Sequence, residues 1–226
     1  MFRIEDVEHG YDDRMVLRGI SVELTERRIA VIGANGSGKS TFARLLNGLL
    51  VPTRGRVLVD GLDTRSEGRA VRRKVGFVFQ DPDVQIVMPT VAEDIAFGLK
   101  HRGLSKKDIA ARVAEVLAEH GLASLSERPA HLLSGGEKQR LAIAAVLALE
   151  PECVVFDEPT TMLDLRNKRR TTEVIRNLAE QVVVVSHDLD LLSDFDRVLV
   201  FDEGRIVADA PPSEAVAAYL DLMAPC

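Results

Sequence analysis

The stretch Gly33-Ala34-Asn35-Gly36-Ser37-Gly38-Lys39-Ser40-Thr41 has the residue types and spacing of a phosphate cradle, G-x-x-x-x-G-K-[ST]. Glycine lets the backbone approach anionic oxygens and take up positive φ, so successive N–H groups between Asn35 and Thr41 can face a phosphate chain. Lys39 then reaches the outer phosphates, and the Ser40 hydroxyl is offered to Mg²⁺. Two acids, Asp157-Glu158, follow the apolar run Val154-Val155-Phe156. Downstream of a phosphate loop, Asp157 suits the same Mg²⁺, directly or through water, and Glu158 is placed to orient or deprotonate an attacking water. A third group, Leu133-Ser134-Gly135-Gly136-Glu137-Lys138-Gln139-Arg140, precedes the apolar run Leu141 to Leu149. Ser134 and Glu137 have capping-box spacing, and the glycine-exposed helix start they define is a second phosphate-binding end.

The elements that must position these groups are legible in the hydrophobic pattern. Ile29-Ala30-Val31-Ile32 reads as a strand before the loop, and Phe42, Leu45, Leu46 and Leu49 recur at helical spacing behind it. Phe2-Ile4 with Val7 and Ile20-Val22-Leu24 predict strands of a leading β layer around a loop that contains Tyr11. Arg56 to Gly61 is a strand and turn, and Val75 to Phe79 is a buried strand that stops at Gln80. From Asp81 to His131 helices replace strands. A Thr90/Glu93 capping box opens one helix that Gly98 is expected to stop, and Ser105 with Asp108 opens another that ends at Gly121. The α/β pattern then resumes with a helix over Leu165 to Leu178 and the strand Val182 to Val185, whose continuous apolar character is that of a parallel sheet covered on both faces. Val198 to Phe201 and Arg205 to Ala208 predict a hairpin, and a helix over Ser213 to Met223 closes the pattern.

With 226 residues, 46% of them hydrophobic, the chain can bury one full α/β core. The expected organisation is one domain over 1–226, with residues 1–80 and 132–226 as core and 81–131 as an inserted helical subdomain. A net charge of −6 gives no electrostatic footprint for nucleic acid. The basic runs Arg72-Arg73-Lys74 and Lys168-Arg169-Arg170 read as solvated surface. The start, Met1 to Asp6, lacks the basic and apolar regions of a signal peptide, and the longest apolar run is too short to span a membrane. Cys153 and Cys226 have no metal-ligand or redox spacing, so a cytoplasmic protein is expected.

The string from Leu133 to Arg140 resembles the signature motif of ATP-binding cassette (ABC) ATPases. With the phosphate loop, Gln80, Asp157-Glu158, Thr161-Met162-Leu163-Asp164 and His187, the motifs of that family occur in the expected order over essentially the whole chain. The resemblance implies a phosphate-loop α/β fold with a RecA-like core, an antiparallel β layer and a helical subdomain. It also implies ATP and Mg²⁺ as cofactors. Two cassettes pack head to tail in that family, so Ser134, Gly135 and Gly136 would serve the nucleotide of a partner, either a second copy or a paralogue. By the same resemblance Tyr11 stacks on adenine, Gln80 senses Mg²⁺ and water, and His187 contacts the γ-phosphate. Asp164 belongs to the loop passing between subunits. The remaining histidines, His9, His101, His120 and His131, are expected at the surface.

Gln80-Asp81-Pro82-Asp83-Val84-Gln85, the stretch from Pro89 to Gly98 and the Thr161 to Asp164 loop are similar to the energy-coupling factor (ECF) branch, whose ATPases power vitamin and metal-ion uptake. That resemblance implies docking of an integral membrane T component, carrying an S component, near Asp81 to Gln85 at the cytoplasmic face of the membrane. The short length without an extended tail points to biotin as cargo. The sequence departs from many ABC ATPases at Glu26-Arg27-Arg28, where a Gly-Glu turn is common. A soluble ABC ATPase acting on ribosomes or DNA is the main alternative, although the chain has neither a second cassette nor a coiled-coil or zinc insertion. A GTPase or small-molecule kinase would leave the signature string without a role, and Asn167-Lys168-Arg169-Arg170 lacks the aspartate of a guanine-reading motif. A non-catalytic regulatory cassette does not require Glu158 and His187.

Overall fold

The computed structural model describes residues 1–224, and Cys226 lies outside them. The chain opens with strands β1 (Phe2–Tyr11), β2 (Arg14–Leu24) and β3 (Arg28–Gly33), then helix α1 (Lys39–Leu46), strands β4 (Arg54–Val59) and β5 (Leu62–Asp63), helix α2 (Gly68–Lys74) and β6 (Val75–Val78). A helical stretch follows with α3 (Pro82–Gln85), α4 (Val91–Leu99) and α5 (Lys106–Glu119), leading into α6 (Gly135–Leu147). The remaining elements are β7 (Cys153–Asp157), α7 (Leu165–Asn177), β8 (Gln181–Val185), β9 (Arg197–Asp202), β10 (Arg205–Ala210) and α8 (Pro212–Met223).

Two sheets organise the molecule. One is antiparallel in the order β2-β1-β4-β5; the other runs β10-β9-β3-β8-β7-β6, parallel from β9 to β6 with an antiparallel β10 at its edge. The predicted α/β class with an antiparallel layer is therefore present. One apolar cluster, with Phe2, Ile4, Phe42, Val155 and Phe201, fills the space between the sheets around α1. A second, with Ile32, Phe156, Ile175 and Val184, lies under the opposite face of the parallel sheet. Coverage on both faces explains why β3 and β8 read as uninterrupted apolar runs. A third cluster joins Val91 and Ile95 of α4 and Val116 of α5 to Leu141 and Ala144 of α6, so α6 belongs to the helical layer and to the core at once.

Two local expectations change, and one helix goes unpredicted around a basic run that lies at the surface as expected. Tyr11 is not in a loop but is the last residue of β1, paired with Arg14 across a two-residue turn. Its polar neighbours Asp12 and Asp13 hide the hairpin from a purely apolar pattern. Gly98 does not stop α4; it lies inside the helix, where an added Cβ would stand 3.0 Å from Leu149, and the left-handed Gly103 (φ 77°) ends the following turn instead. Arg72-Arg73-Lys74 are the last turn of an unpredicted helix, α2, where cations complement the helix dipole.

The Glu26-Arg27-Arg28 departure is structural. Arg28 is buried, and its guanidinium donates to the carbonyls of Arg176 and Leu178 at the C-terminal end of α7 and, at 2.8 Å, to that of Glu180. Arg27 also donates to the Leu178 carbonyl at 2.7 Å, so the two arginines together satisfy acceptors around the helix end. Arg28→Ala is expected to destabilise the protein by about 2–4 kcal/mol, because partly buried acceptors lose charged donors and a buried side chain leaves a cavity. For a chain of this size that lowers the melting midpoint by on the order of 5–10 °C in a thermal denaturation experiment. An unchanged midpoint would remove Arg28 from this role.

Candidate functional site

The phosphate loop links the C-terminal end of β3 to α1, where an open parallel sheet presents ligands. Its start is tightly constrained: a Cβ on Gly33, at φ 149°, would stand 2.1 Å from the Phe201 carbonyl oxygen of β9. Gly38 has φ 104° and faces Leu17 of the antiparallel sheet, so the loop is wedged between the two sheets. Lys39 is buried, and its ammonium donates to the carbonyls of Gly33 (2.8 Å) and Ala34 (2.9 Å). Burial holds its pKa below the usual lysine value, with Glu158 and Asp157 pulling the other way. The buried Ser37 hydroxyl has no protein partner, an unmet polar group suited to an anionic ligand at the loop.

β7 delivers both acids beside this loop. The Ser40 hydroxyl donates to Asp157 Oδ1 at 2.7 Å, and Asp157 is 2% exposed with Arg44 3.8 Å away. Burial pushes its carboxyl above the usual aspartate range, opposed by the Ser40 hydrogen bond and Arg44. Two hard oxygen donors from neighbouring elements fit a small divalent cation that takes its other ligands from phosphate and water. Glu158 has the left-handed φ of 51° and is buried. A glutamate held there stores backbone strain of about 1–2 kcal/mol, and such strain gathers at functional positions. Its Oε2 lies 2.8 Å from His187 Nδ1 and accepts from the Thr161 hydroxyl at 3.0 Å. His187 follows β8, parallel to and beside β7, which explains how residues 29 positions apart meet.

One cleft of about 1020 Å³ is lined by the loop from Gly33 to Thr41 apart from the buried Ser37, by Tyr11 and Gln80, and by Glu158 and His187. Asn35 and Gly36 are exposed at its mouth. Thr161, Arg14, Val16, Tyr219 and Met223 also line it and were not singled out by sequence. Thr161 stood in a motif already quoted, whereas Tyr219 and Met223 carry only a helical pattern that says nothing of what the helix faces.

Ser134, Gly135, Gly136 and Asp164 do not line that cleft. They form a separate group. Ser134 caps α6 with a reciprocal capping box, in which its own N–H donates to Glu137 Oε2 at 2.7 Å. That backbone hydrogen bond keeps the Glu137 carboxyl below the usual glutamate range. A Cβ on Gly136 would stand 2.2 Å from Asn167, whose side chain donates to Asp164 Oδ2 at 2.9 Å. Asp164 in turn caps α7 by accepting from the Asn167 N–H at 2.8 Å, which draws its carboxyl below the usual range. Two of the four histidines expected at the surface are elsewhere. His9 is 7% exposed, and His120 is half-buried, with burial drawing its pKa down.

The ABC transporter family profile matches residues 17–161 of this chain, which span the phosphate loop, the Ser134 helix start and both acids. A putative ABC transporter ATP-binding protein of Deinococcus radiodurans is 59% identical over 99% of this chain and 99% of its own length. The biotin transport ATP-binding protein BioM of Rhizobium etli is 50% identical over 98% and 99% of the two chains. Among solved structures, cbiO1 of Clostridium perfringens, part of the ABC transporter complex cbiONQ, superposes with a TM-score of 0.82 at 33% identity, covering 99% of this chain and 95% of its own. The loop, the paired acids and the fold agree with these likenesses: the chain belongs to the ABC transporter family, as an ATPase subunit that couples ATP hydrolysis to transport.

Proposed function

We propose that this chain is the Mg²⁺-dependent ATPase of an ECF-type uptake transporter with biotin as cargo. The observation that carries the catalytic half is the convergence of Lys39, Ser40, Glu158 and His187 on one cleft, with Asp157 hydrogen-bonded to Ser40 behind it. Tyr11 stacks on the adenine, the N–H groups from Asn35 to Thr41 hold the phosphates, and Lys39 exchanges its two carbonyl partners for phosphate oxygens. Ser40 and Asp157, with Gln80 lining the same cleft, would hold Mg²⁺, which would neutralise charge on the transferring phosphoryl group. Glu158 takes the proton of the attacking water, and His187 fixes the carboxylate and faces the γ-phosphate.

Ser134, Gly135, Gly136 and Asp164 serve the cleft of a facing cassette, a second copy or a paralogue. Ser134 and Gly135 are exposed at the start of α6, apart from the chain's own cleft, which supports this reading, although Gly136 is buried against Asn167. The membrane partner docks beside α3. Asp83 is paired with Lys138 of α6 at 2.6 Å, and the Gln85 side chain donates to the Ala142 carbonyl of α6 while accepting from the Phe79 N–H. α3 is thereby tied both to the strand leading to Gln80 and to the helix that starts at Ser134. Val84 and Val87 stand exposed there, an apolar offering to helices of a T component that carries an S component. No helix among the described residues is long and apolar enough to cross a membrane, and the chain acts at the cytoplasmic face through that partner. The cargo reading rests on the Rhizobium relative.

Affinity purification from detergent-solubilised membranes is expected to recover the chain with integral membrane subunits and bound biotin. A different bound vitamin or metal ion would replace the cargo. Recovery with ribosomes or DNA would favour the soluble-ATPase alternative and end the transporter reading.

A further inference from the structure

His9 lies two residues before Tyr11 on β1, so both side chains project from the same face of the strand. Yet His9 is 7% exposed and Tyr11 is 44% exposed. Their rings meet with centroids 5.0 Å apart and planes at 87°, the edge-to-face geometry of an attractive aromatic pair. Both nitrogens of the imidazole are buried without a hydrogen-bond partner. An apolar ring would pack there without leaving polar groups unmet, so this side chain is not explained by polar contacts of its own. Across the strand pair His9 faces Leu17, the residue against which Gly38 of the phosphate loop packs. The register of β1 slips on both sides of His9, and a Cβ on Gly10 would stand 2.9 Å from the Arg14 carbonyl oxygen. The irregular strand end thus leaves Tyr11 supported by a ring beneath it.

We infer that His9 is a positioning residue for base recognition: its buried ring holds Tyr11 in the attitude that stacks on the nucleotide base, and so sets affinity for the base without touching it. The inference rests on the reading of Tyr11 as the stacking residue. An exposed tyrosine free to rotate would lose that freedom each time a base docks, and a fixed perpendicular neighbour removes the cost beforehand.

The chain has two tyrosines and no tryptophan, and both tyrosines line the nucleotide cleft. In a Tyr219→Phe background Tyr11 is therefore the sole tyrosine, and its steady-state fluorescence anisotropy reports its freedom. Titrations with ATP and with inorganic tripolyphosphate, which has no base, separate base recognition from phosphate recognition. His9→Ala is expected to weaken ATP about three- to tenfold, the range of one edge-to-face pair, and to leave tripolyphosphate unchanged. Tyr11 anisotropy should fall in that variant. His9→Phe, with a ring of similar size, should restore both ATP affinity and anisotropy, and its melting midpoint should rise because no nitrogen is left unmet. His9→Leu keeps the strand apolar without a flat ring and serves as the second probe where the alanine variant does not fold. ATP affinity unchanged in His9→Ala and His9→Leu, equal weakening of both ligands, or unaltered anisotropy would overturn the role of His9. Tyr11→Ala is the control: if it leaves ATP affinity intact, the stacking reading itself falls and the role of His9 falls with it.

Discussion

Glu158→Gln is expected to lower the turnover rate for ATP by about 10²–10⁴, or about 3–5 kcal/mol of barrier, while ATP still binds. The geometry makes this substitution a clean probe. Glu158 is fixed by the Thr161 hydroxyl, by His187 and by its own backbone hydrogen bond to the Val185 carbonyl. A glutamine oxygen can accept the same side-chain hydrogen bonds, so the cleft keeps its shape while the proton acceptor is lost. ATP that binds but is not consumed should accumulate a closed pair of cassettes, visible as an ATP-dependent dimer in size-exclusion chromatography. Phosphate release measures the rate. Hydrolysis at the normal rate would remove Glu158 from the proton-accepting role.

The second large effect is on binding. Lys39→Ala should weaken ATP by about 10- to 100-fold, since hydrogen bonds to charged groups are worth about 1.5–3 kcal/mol. Without nucleotide the ammonium already spends its donors on the Gly33 and Ala34 carbonyls at the price of burial, so its loss removes two hydrogen bonds and a desolvated charge together. The nucleotide-free protein should therefore melt near the wild-type temperature, while the rise in melting temperature on adding ATP largely disappears. An unchanged calorimetric titration with ATP would displace the phosphate loop from the centre of the site.

These two residues show how unevenly the sequence speaks. Lys39 was legible because its neighbours are local: the glycines, the strand before them and the helix behind them lie within a few turns of chain. Glu158 was legible as an acid at a strand end, but its strained φ and its contact with His187 arise only when β7 and β8 lie side by side. The Ser134 cap could be named from a three-residue spacing. That Gly136 sits against Asn167, and so beside Asp164, could not, because α6 and α7 meet only in the folded chain.

His9 and Tyr219 mark the limit. A histidine in an alternating strand pattern looks the same whether it faces water or a neighbouring ring, and Tyr219 sits on a helix whose facing surface is set by β9 and β10. By itself the sequence determined the family, the phosphate loop, the paired acids and the order of the main strands and helices, though not α2, α3 or β5, because each depends on residue types at short fixed spacing. Tertiary structure alone decided which of these groups share a cleft and which face away, because separation along the chain carries no information about the packing of distant elements.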